Sequence, residues 1–289
     1  MKLKLGMPKG SLQEATISIF EKAGFAISVS TRSYFPRIDD NEIELMLFRA
    51  QEMSRYVESG VLDCGITGSD WVLENNSKVR EIAELMYAKR TLMPVRWVLA
   101  APVNSKIKSV KDLKGKRIAT ELVNVTERYL KKNGVKADVE FSWGATEAKV
   151  GIGVDAIVEL TETGKSLEAN NLKIIDTVCV STTVFIAHKE AWKNAWKKDK
   201  MENLVLLLKG AILAQGKVGL KMNVAKKDLQ KILGLLPAMK KPTIATLTQP
   251  DWYDIDTILD EKDARTLIPR LKKAGAQGII EYPLNKAIY

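Results

Sequence analysis

The 289-residue chain contains a single histidine, His188, and only two cysteines. One histidine cannot build a metal site or a catalytic dyad by itself, and no Cys/His cluster exists, which excludes structural zinc. Cys64 and Cys179 lie far apart in apolar runs, so we expect buried thiols in a reducing compartment rather than a disulfide.

Long hydrophobic runs are also missing. Met1 to Pro8 reaches a proline before a signal-peptide core can form, and apolar stretches such as 204–208 are far shorter than the about 20 residues of a membrane span. We therefore expect a cytoplasmic protein without a membrane partner.

The net charge is +10, which suits polyanionic ligands. Lysine runs at 189–200 and 226–231 have the pattern of solvated helix faces, and no basic stripe interleaved with aromatic residues is present. We expect small anionic substrates and no nucleic acid; a nucleic-acid binder would instead show strong, salt-dependent retention on DNA.

The chain is organised around residues 155–167. Ala156 to Leu160 is predicted to be a buried strand, Thr161 to Gly164 a polar turn, and Ser166 the start of a helix. Free amides, hydroxyls and a helix N-terminus in this order predict an anion site, although an ordinary capped strand–turn–helix junction has the same pattern. The tail of a Walker A loop is present at 164–166, but Glu159 stands where its first glycine belongs, so we reject that motif.

Two earlier stretches follow a similar plan. Strands at 2–6 and 62–66 are each followed by a polar turn, 8–11 and 67–70, and Arg49 comes directly after a strand at 43–48. Because ligands of α/β sheets bind beyond the carboxyl ends of strands, the chain is predicted to form two lobes that face one cleft.

The remaining pattern predicts an α/β fold with crossings between lobes near Arg96 and Ser181, and a separate tail from Lys217. Ser11 is predicted to cap a helix at 12–22, and a long helix is predicted at 188–198. The tail has the order βαββαβ of a ferredoxin-like unit. The predicted domains are 1–95 plus 182–212 for lobe I, 96–181 for lobe II, and 213–289 for the tail.

Glu159-Leu-Thr-Glu-Thr-Gly-Lys-Ser-Leu167 resembles the phosphoribosyl-pyrophosphate loop of the ATP phosphoribosyltransferase family. Residues 7–12 and 63–70 resemble other segments of that family, and the length resembles its long form, which carries a regulatory tail. Residues 102–119 resemble a lobe of type II periplasmic binding proteins. Many family members have Asp at the position of Glu159 and Thr at that of Ser166, and both changes keep the chemical group.

The resemblance implies transfer of a phosphoribosyl group to N1 of ATP, with magnesium on the departing pyrophosphate and with cytoplasmic homo-oligomers, hexamer and dimer. It implies catalytic roles for Glu159, Lys9 and Arg49. The implied phosphoribosyl-pyrophosphate contacts are Asp155, Glu159, Thr161, Glu162, Thr163, Gly164, Lys165 and Ser166. The implied ATP contacts are Lys9, Gly10, Ser11, Arg49, Gly68 and Asp70. The implied histidine contacts in an ACT-like tail are Asn223, Leu236 and Thr243.

Three alternatives remain open from the residues alone. A solute-binding or sensor module would have the same two lobes, an NTPase would hydrolyse ATP without a ribosyl donor, and the tail could serve oligomerisation only.

Overall fold

The computed structural model describes residues 1–30, 32–88, 93–237 and 242–288. The chain divides into two compact units, Met1–Leu208 and Lys209–Tyr289. The strands are β1 (Leu3–Lys9), β2 (Ile27–Ser28), β3 (Arg37–Ile38), β4 (Ile43–Arg49), β5 (Cys64–Gly68), β6 (Arg80–Leu85), β7 (Val95–Pro102), β8 (Arg117–Thr120), β9 (Asp138–Phe141), β10 (Ala156–Thr161), β11 (Leu172–Ser181), β12 (Thr183–Ala187), β13 (Lys217–Ala225), β14 (Thr243–Thr246), β15 (Trp252–Asp260) and β16 (Gln277–Pro283). The helices are α1 (Gln13–Ala23), α2 (Ala50–Glu58), α3 (Ser69–Glu74), α4 (Val123–Lys132), α5 (Lys165–Ala169), α6 (Lys189–Lys193), α7 (Ala195–Ala214), α8 (Leu229–Leu233) and α9 (Glu261–Ala274).

Lobe I is built on a sheet with strand order β4-β1-β5-β12-β6. Strands β4, β1 and β5 are parallel, and β12 runs antiparallel to both of its neighbours. Gly6 and Gly65 are paired in register, and a Cβ at Gly6 would lie 2.3 Å from the Met53 sulfur. The two glycines therefore let α2 pack directly against the sheet.

Lobe II is built on a second sheet with strand order β11-β7-β10-β8-β9. Strands β10, β8 and β9 are parallel, and β7 runs antiparallel to β10 and β11. Its core includes Trp97, Leu99, Ile118 and Val158. Because each lobe has three parallel strands, each gathers three carboxyl ends at one edge of its sheet.

The C-terminal unit has a four-stranded antiparallel sheet with order β14-β15-β13-β16. Alternate residues of β13, such as Leu220 and Met222, are buried in the same core as Leu271 of α9. This βαββαβ arrangement is ferredoxin-like, and the predicted α/β class with two lobes and such a tail is confirmed.

Two local predictions differ from the structure, and one strand was not predicted. Leu12, not Ser11, precedes α1, and no side chain caps that helix. The long helix predicted from 188 breaks at Asn194, whose Oδ1 accepts a 3.0 Å hydrogen bond from the Lys197 amide and so caps α7. Strand β6 was not predicted, because its outward residues are charged and only Ala83 and Leu85 are buried.

No helix in the described ranges is long and apolar enough to cross a membrane.

Candidate active site

A cavity of about 270 Å³ lies where the carboxyl ends of the two sets of parallel strands meet. Lobe I contributes the ends of β1, β4 and β5, and lobe II contributes the ends of β8 and β10. The charged, amide, serine and threonine side chains among its lining residues are those of Lys9, Ser11, Arg49, Gln51, Asp70, Glu121, Glu159, Glu162, Ser181, Thr182 and Thr183. The cavity thus brings Glu159 and Glu162, which were assigned to one substrate, together with residues that were assigned to the other: Lys9, Ser11, Arg49, Gly68 and Asp70.

The loop after β10 is a tight turn made by its own side chains. Gly164 has a left-handed φ of 81°, and its amide donates a 2.7 Å hydrogen bond to Oγ1 of the buried Thr161. The amides of Thr163, Lys165 and Ser166 have no acceptor among the described residues. The turn therefore presents N–H groups to an anion, while the Thr161 hydroxyl shapes the turn.

The hydroxyl of Ser166 already has a partner, because its Oγ donates a 2.7 Å hydrogen bond to Oε1 of Glu147. Glu147 stands in a short 3₁₀ turn, Thr146–Lys149, of the same lobe. A phosphate that contacts the Ser166 hydroxyl has to compete with this carboxylate.

Glu159 lies on the cavity wall near the end of β10. Partial burial raises the pKa of this carboxyl to about 7, and the nearby carboxylates of Glu147 and Glu121 add to the effect, while the Leu160 amide opposes it. That amide donates a 3.1 Å hydrogen bond to Oε1 of Glu159. The side chain therefore changes charge close to neutral pH.

Asp155 is not brought to the loop. It stands at the amino end of β10, where its carboxylate accepts 3.0 Å hydrogen bonds from Nζ of Lys116 and the amide of Arg117. The Arg117 amide is the main reason that the pKa of Asp155 lies below its usual value. Six strand residues, about 20 Å of extended chain, separate it from the loop. Its visible role is to tie β10 to the start of β8.

Lys9 and Arg49 end β1 and β4, and each rests against an aromatic ring. Nζ of Lys9 is 3.9 Å from the centroid of the Tyr34 ring, and Cζ of Arg49 is 5.8 Å from that of the Trp143 ring. Neither cation forms an ion pair within the described part of the chain. Both remain available to phosphate oxygens.

Gly10 lies next to Arg49, because a Cβ added to it would be 3.6 Å from the Arg49 guanidinium. Gly10 has a left-handed φ of 104°, so it turns the chain sharply after Lys9. Ser11 and Gly68 both line the cavity. A Cβ at Gly68 would lie 2.0 Å from Oδ1 of Asp70, so only glycine fits there.

Asp70 joins the two lobes. Its buried Oδ2 accepts a 2.6 Å hydrogen bond from Nε1 of Trp97 in lobe II, and its amide donates a 3.2 Å hydrogen bond to Oγ of Ser181 at the second crossing. Burial raises the pKa of this carboxyl, and the Trp97 hydrogen bond opposes that rise. The carboxylate is therefore engaged in an interlobe contact, although it also lines the cavity.

The sequence did not identify Trp97, Ser181, Gln51, Glu121 or Trp143 as site residues. Ser181 and Trp97 were near the predicted crossings, but nothing in the sequence pairs either of them with Asp70. Glu121 follows β8, and the carboxyl end of a parallel strand is a signal that could have found it.

The three predicted effector residues fall on two sides of the C-terminal sheet. Asn223 pairs with Asp254, and Thr243 pairs with Asp256, which places all four on one face. Leu236 instead packs against the hydrophobic core on the other side. Oδ1 of Asp254 is buried without a hydrogen-bond partner, whereas its Oδ2 lies 3.0 Å from Nζ of Lys221.

No group of three or more acidic, histidine or cysteine side chains within the described ranges is arranged to hold a metal ion. Glu159 and Glu162 nevertheless line the cavity, and one or two carboxylates together with substrate phosphates are a typical environment for Mg²⁺.

Comparison with known proteins identifies the family. A family model described as HisG, ATP phosphoribosyltransferase, matches residues 49–210, and one described as the HisG C-terminal domain matches residues 214–286. An ATP phosphoribosyltransferase of Thermodesulfovibrio yellowstonii is 60% identical over 286 residues, covering 99% of this chain and 98% of that protein. One of Solibacter usitatus is 59% identical over 288 residues, covering 100% of both.

Among solved structures, the chain is similar to one described as an ATP phosphoribosyl transferase (HisG:HisZ) complex from Thermotoga maritima. The TM-score is 0.61 at 29% sequence identity, and the match covers 71% of this chain and 98% of that one. The resemblance seen in the loop is thus confirmed over the whole length. The chain belongs to the long form of the ATP phosphoribosyltransferase family, the transferases that open histidine biosynthesis.

Proposed function

We propose that this chain joins C1 of phosphoribosyl pyrophosphate to N1 of the ATP adenine. The new C–N bond forms as the C1–O bond breaks, and the bonding electron pair leaves with pyrophosphate. The observation that carries the proposal is the turn at 161–166, whose amides of Thr163, Lys165 and Ser166 point to no acceptor in the described chain while Glu159 stands beside it. The 5′-phosphate of the ribosyl donor matches the free amides, and the two ring hydroxyls of the same ribose match the carboxylate of Glu159.

The roles follow from the chemistry of each group. The turn amides hold the 5′-phosphate, and ionised Glu159 accepts hydrogen bonds from the ribose hydroxyls. Lys9 and Arg49 meet phosphate oxygens, because both are cations at strand ends without an ion-pair partner among the described residues. Since no covalent nucleophile is needed, the protein acts by aligning two substrates and by stabilising charge on the leaving group.

Magnesium fits this cavity as a partner of the substrates. Its ligands would be pyrophosphate oxygens, with the carboxylates of Glu159 and Glu162 on the cavity wall. When bound, Mg²⁺ neutralises charge that builds up on the departing pyrophosphate.

The test is an assay with ATP, phosphoribosyl pyrophosphate and Mg²⁺ that follows both a modified-adenine absorbance and pyrophosphate. We expect one pyrophosphate per modified adenine. ATP hydrolysis in the absence of the ribosyl donor would indicate an NTPase, and ligand binding without any product would indicate a solute-binding module.

Two glycines offer a matched pair of variants for the loop. Gly164 and Gly151 belong to the same lobe and have φ values of 81° and 82°. A Cβ added to Gly164 would contact only Cδ1 of Ile174, at 3.8 Å, and a Cβ added to Gly151 would contact nothing within 4 Å. Both Gly→Ala changes carry a similar backbone strain, but only Gly164→Ala distorts the turn. We expect a raised KM for phosphoribosyl pyrophosphate in Gly164→Ala alone; equal effects in both variants would contradict the assignment of the loop.

Feedback by histidine is the second part of the proposal. The open face of the C-terminal sheet carries Asn223, Thr243, Lys221 and Asp254. Nζ of Lys221 lies 3.0 Å from Oδ2 of Asp254, so this ion pair places a half-exposed cation next to a carboxylate that can accept a hydrogen bond from an ammonium or imidazole group. A free amino acid offers both an ammonium for Asp254 and a carboxylate for Lys221. We also propose that the chain works as a homo-oligomer, as the resemblance implies.

A further inference from the structure

Two exposed aromatic side chains line a second cavity, which adjoins the first. Phe141 ends β9 and Trp143 follows it, and they are 65% and 67% exposed. The second cavity measures about 510 Å³, within the range of small-molecule sites, and it shares Arg49, Gln51, Trp71 and Glu121 with the first. These four residues therefore form the boundary between the two cavities. We call the first cavity, which contains Glu159, the loop-side chamber, and the second, which contains Phe141 and Trp143, the aromatic chamber.

We propose that Trp143 stacks on the adenine ring of ATP and that Glu121 accepts a hydrogen bond from the adenine N6 amine. This inference rests on the proposed function and assigns to it two residues that the sequence did not single out.

The indole of Trp143 is suited to a planar ligand. Arg49 lies over the ring with its Cζ 5.8 Å from the centroid, and the residue is still two-thirds exposed, which leaves room for a second flat group. Bases stack on aromatic side chains, and an arginine beside the same ring adds a cation that can reach the nucleotide phosphates. Large aromatic residues exposed together inside a cleft are also unusual unless they bind something.

Glu121 is suited to read the edge of the base. Its Oε2 accepts a 3.5 Å hydrogen bond from Nε2 of Gln51, which spans the two lobes. An ionised carboxylate only accepts hydrogen bonds, so it can receive the N6 amine of adenine but repels the 6-oxo group of hypoxanthine. For the same reason it cannot donate to N1, which has to keep its lone pair for the reaction.

The positions of the two chambers agree with an attack of adenine N1 on C1 of the ribosyl donor. N1 and N6 are attached to the same ring carbon, so a base whose N6 meets Glu121 also directs N1 towards the boundary between the chambers. Glu159 lies on the far side of this boundary, in the loop-side chamber where the ribosyl donor is proposed to bind. Arg49 also belongs to both chambers and can contact phosphates of either substrate.

The stacking is tested by equilibrium binding of ATP and of adenosine in the absence of the ribosyl donor. We expect Trp143→Ala to weaken both ligands about 5- to 150-fold, the range for loss of a base–aromatic stack, and Trp143→Phe to retain most of the affinity. Trp192→Ala is the matched control, because Trp192 also lies against a cation, with Cζ of Arg80 at 5.1 Å, but lines neither chamber. If only ATP were weakened and adenosine were not, Trp143 would act through Arg49 and the phosphates, and the stacking would be refuted.

The hydrogen bond from N6 is tested by comparing ATP with inosine triphosphate, in which a 6-oxo group replaces the amine. We expect the wild-type protein to prefer ATP about 10- to 150-fold, as for a hydrogen bond to a charged group, and Glu121→Gln to lose most of that preference, since an amide can also donate. Unchanged discrimination in Glu121→Gln would overturn this assignment.

Different results would refute the proposed function and the stacking of adenine on Trp143. Wild-type protein that forms no modified adenine with both substrates present would refute the proposed function. Normal turnover together with equal ATP affinity in Trp143→Ala and Trp192→Ala would refute only the stacking.

Discussion

Glu159→Gln should stabilise the empty protein in a pH-dependent way. Burial first, and the carboxylates of Glu147 and Glu121 next, raise the pKa of Glu159 from 4.5 to about 7. A carboxyl whose pKa is higher in the folded state gives its full contribution to stability below pH 4.5, and loses it as the pH rises through 7. The shift of about 2.5 pKa units corresponds to about 3 kcal/mol at pH 8 and about 1 kcal/mol at pH 5.

Glutamine keeps the shape of the protonated acid, so the variant should escape this loss. Between pH 5 and 8 we expect the gap between variant and wild type to widen by about 2 kcal/mol, or about 4–8 °C in Tm for a unit of this size. Thermal unfolding at several pH values without ligands measures the gap. Glu140→Gln is the control, because Glu140 is an exposed carboxylate of the same lobe.

A Tm difference between Glu159→Gln and wild type that stayed constant over this pH range would show that the charge of Glu159 does not destabilise the folded state. The same widening in Glu140→Gln would show that the effect comes from net charge and not from burial. A matching loss of activity is expected, since the charge that destabilises the empty cleft is the one proposed to bind the ribose diol.

Two further predictions concern buried carboxylates. Trp97→Phe removes the donor to Oδ2 of Asp70, so it should lower the free energy of unfolding by about 1.5–3 kcal/mol at neutral pH. This loss should become smaller on acidification, because a protonated Asp70 tolerates burial better than an ionised one. Chemical denaturation at pH 4 and pH 8 measures the loss, and equal values at both pH values would contradict the prediction. Asp254→Asn removes the negative charge of the ion pair with Lys221 on the C-terminal sheet, so histidine should inhibit less while uninhibited turnover stays unchanged. An unaltered inhibition curve would speak against the proposed effector face.

Much of the fold could be predicted because breakers mark its elements clearly. Strands β4 and β10 begin where the sequence predicted them and each extends one residue beyond the predicted end. Local rules were less reliable where two of them compete. Ser11 has the spacing of a capping box, but the amide of Gln13 donates to the carbonyl of Gly10, so the turn closes one residue later and the serine lines the cavity instead.

Only those residues of the candidate site that stand at the carboxyl end of a predicted strand could be located from the sequence. Lys9, Arg49 and Glu159 stand at carboxyl ends, which is a position that sequence pattern can locate. Contacts between lobes are different, because the Asp70–Trp97 and Gln51–Glu121 hydrogen bonds join residues that no spacing relates. Asp155 shows another limit of the sequence, because a residue that is close to the loop in sequence lies at the opposite end of an extended strand.

The charges in the cleft suggest why nucleotide and sugar phosphates suit it. Burial is the first reason that the pKa values of Asp70, Glu121 and Glu159 are all raised, although the charge of Arg49 opposes the rise at Glu121. Lys9 and Arg49 lie over aromatic rings and form no ion pair with these acids within the described residues. The empty cleft therefore keeps partly buried acids and nearby cations, and neither group has an ion-pair partner among the described residues. A ligand relieves both costs only if it carries hydroxyl or amine donors next to phosphate oxygens. Ribose phosphates and adenine nucleotides have this combination, whereas a plain anion satisfies the cations and repels the acids.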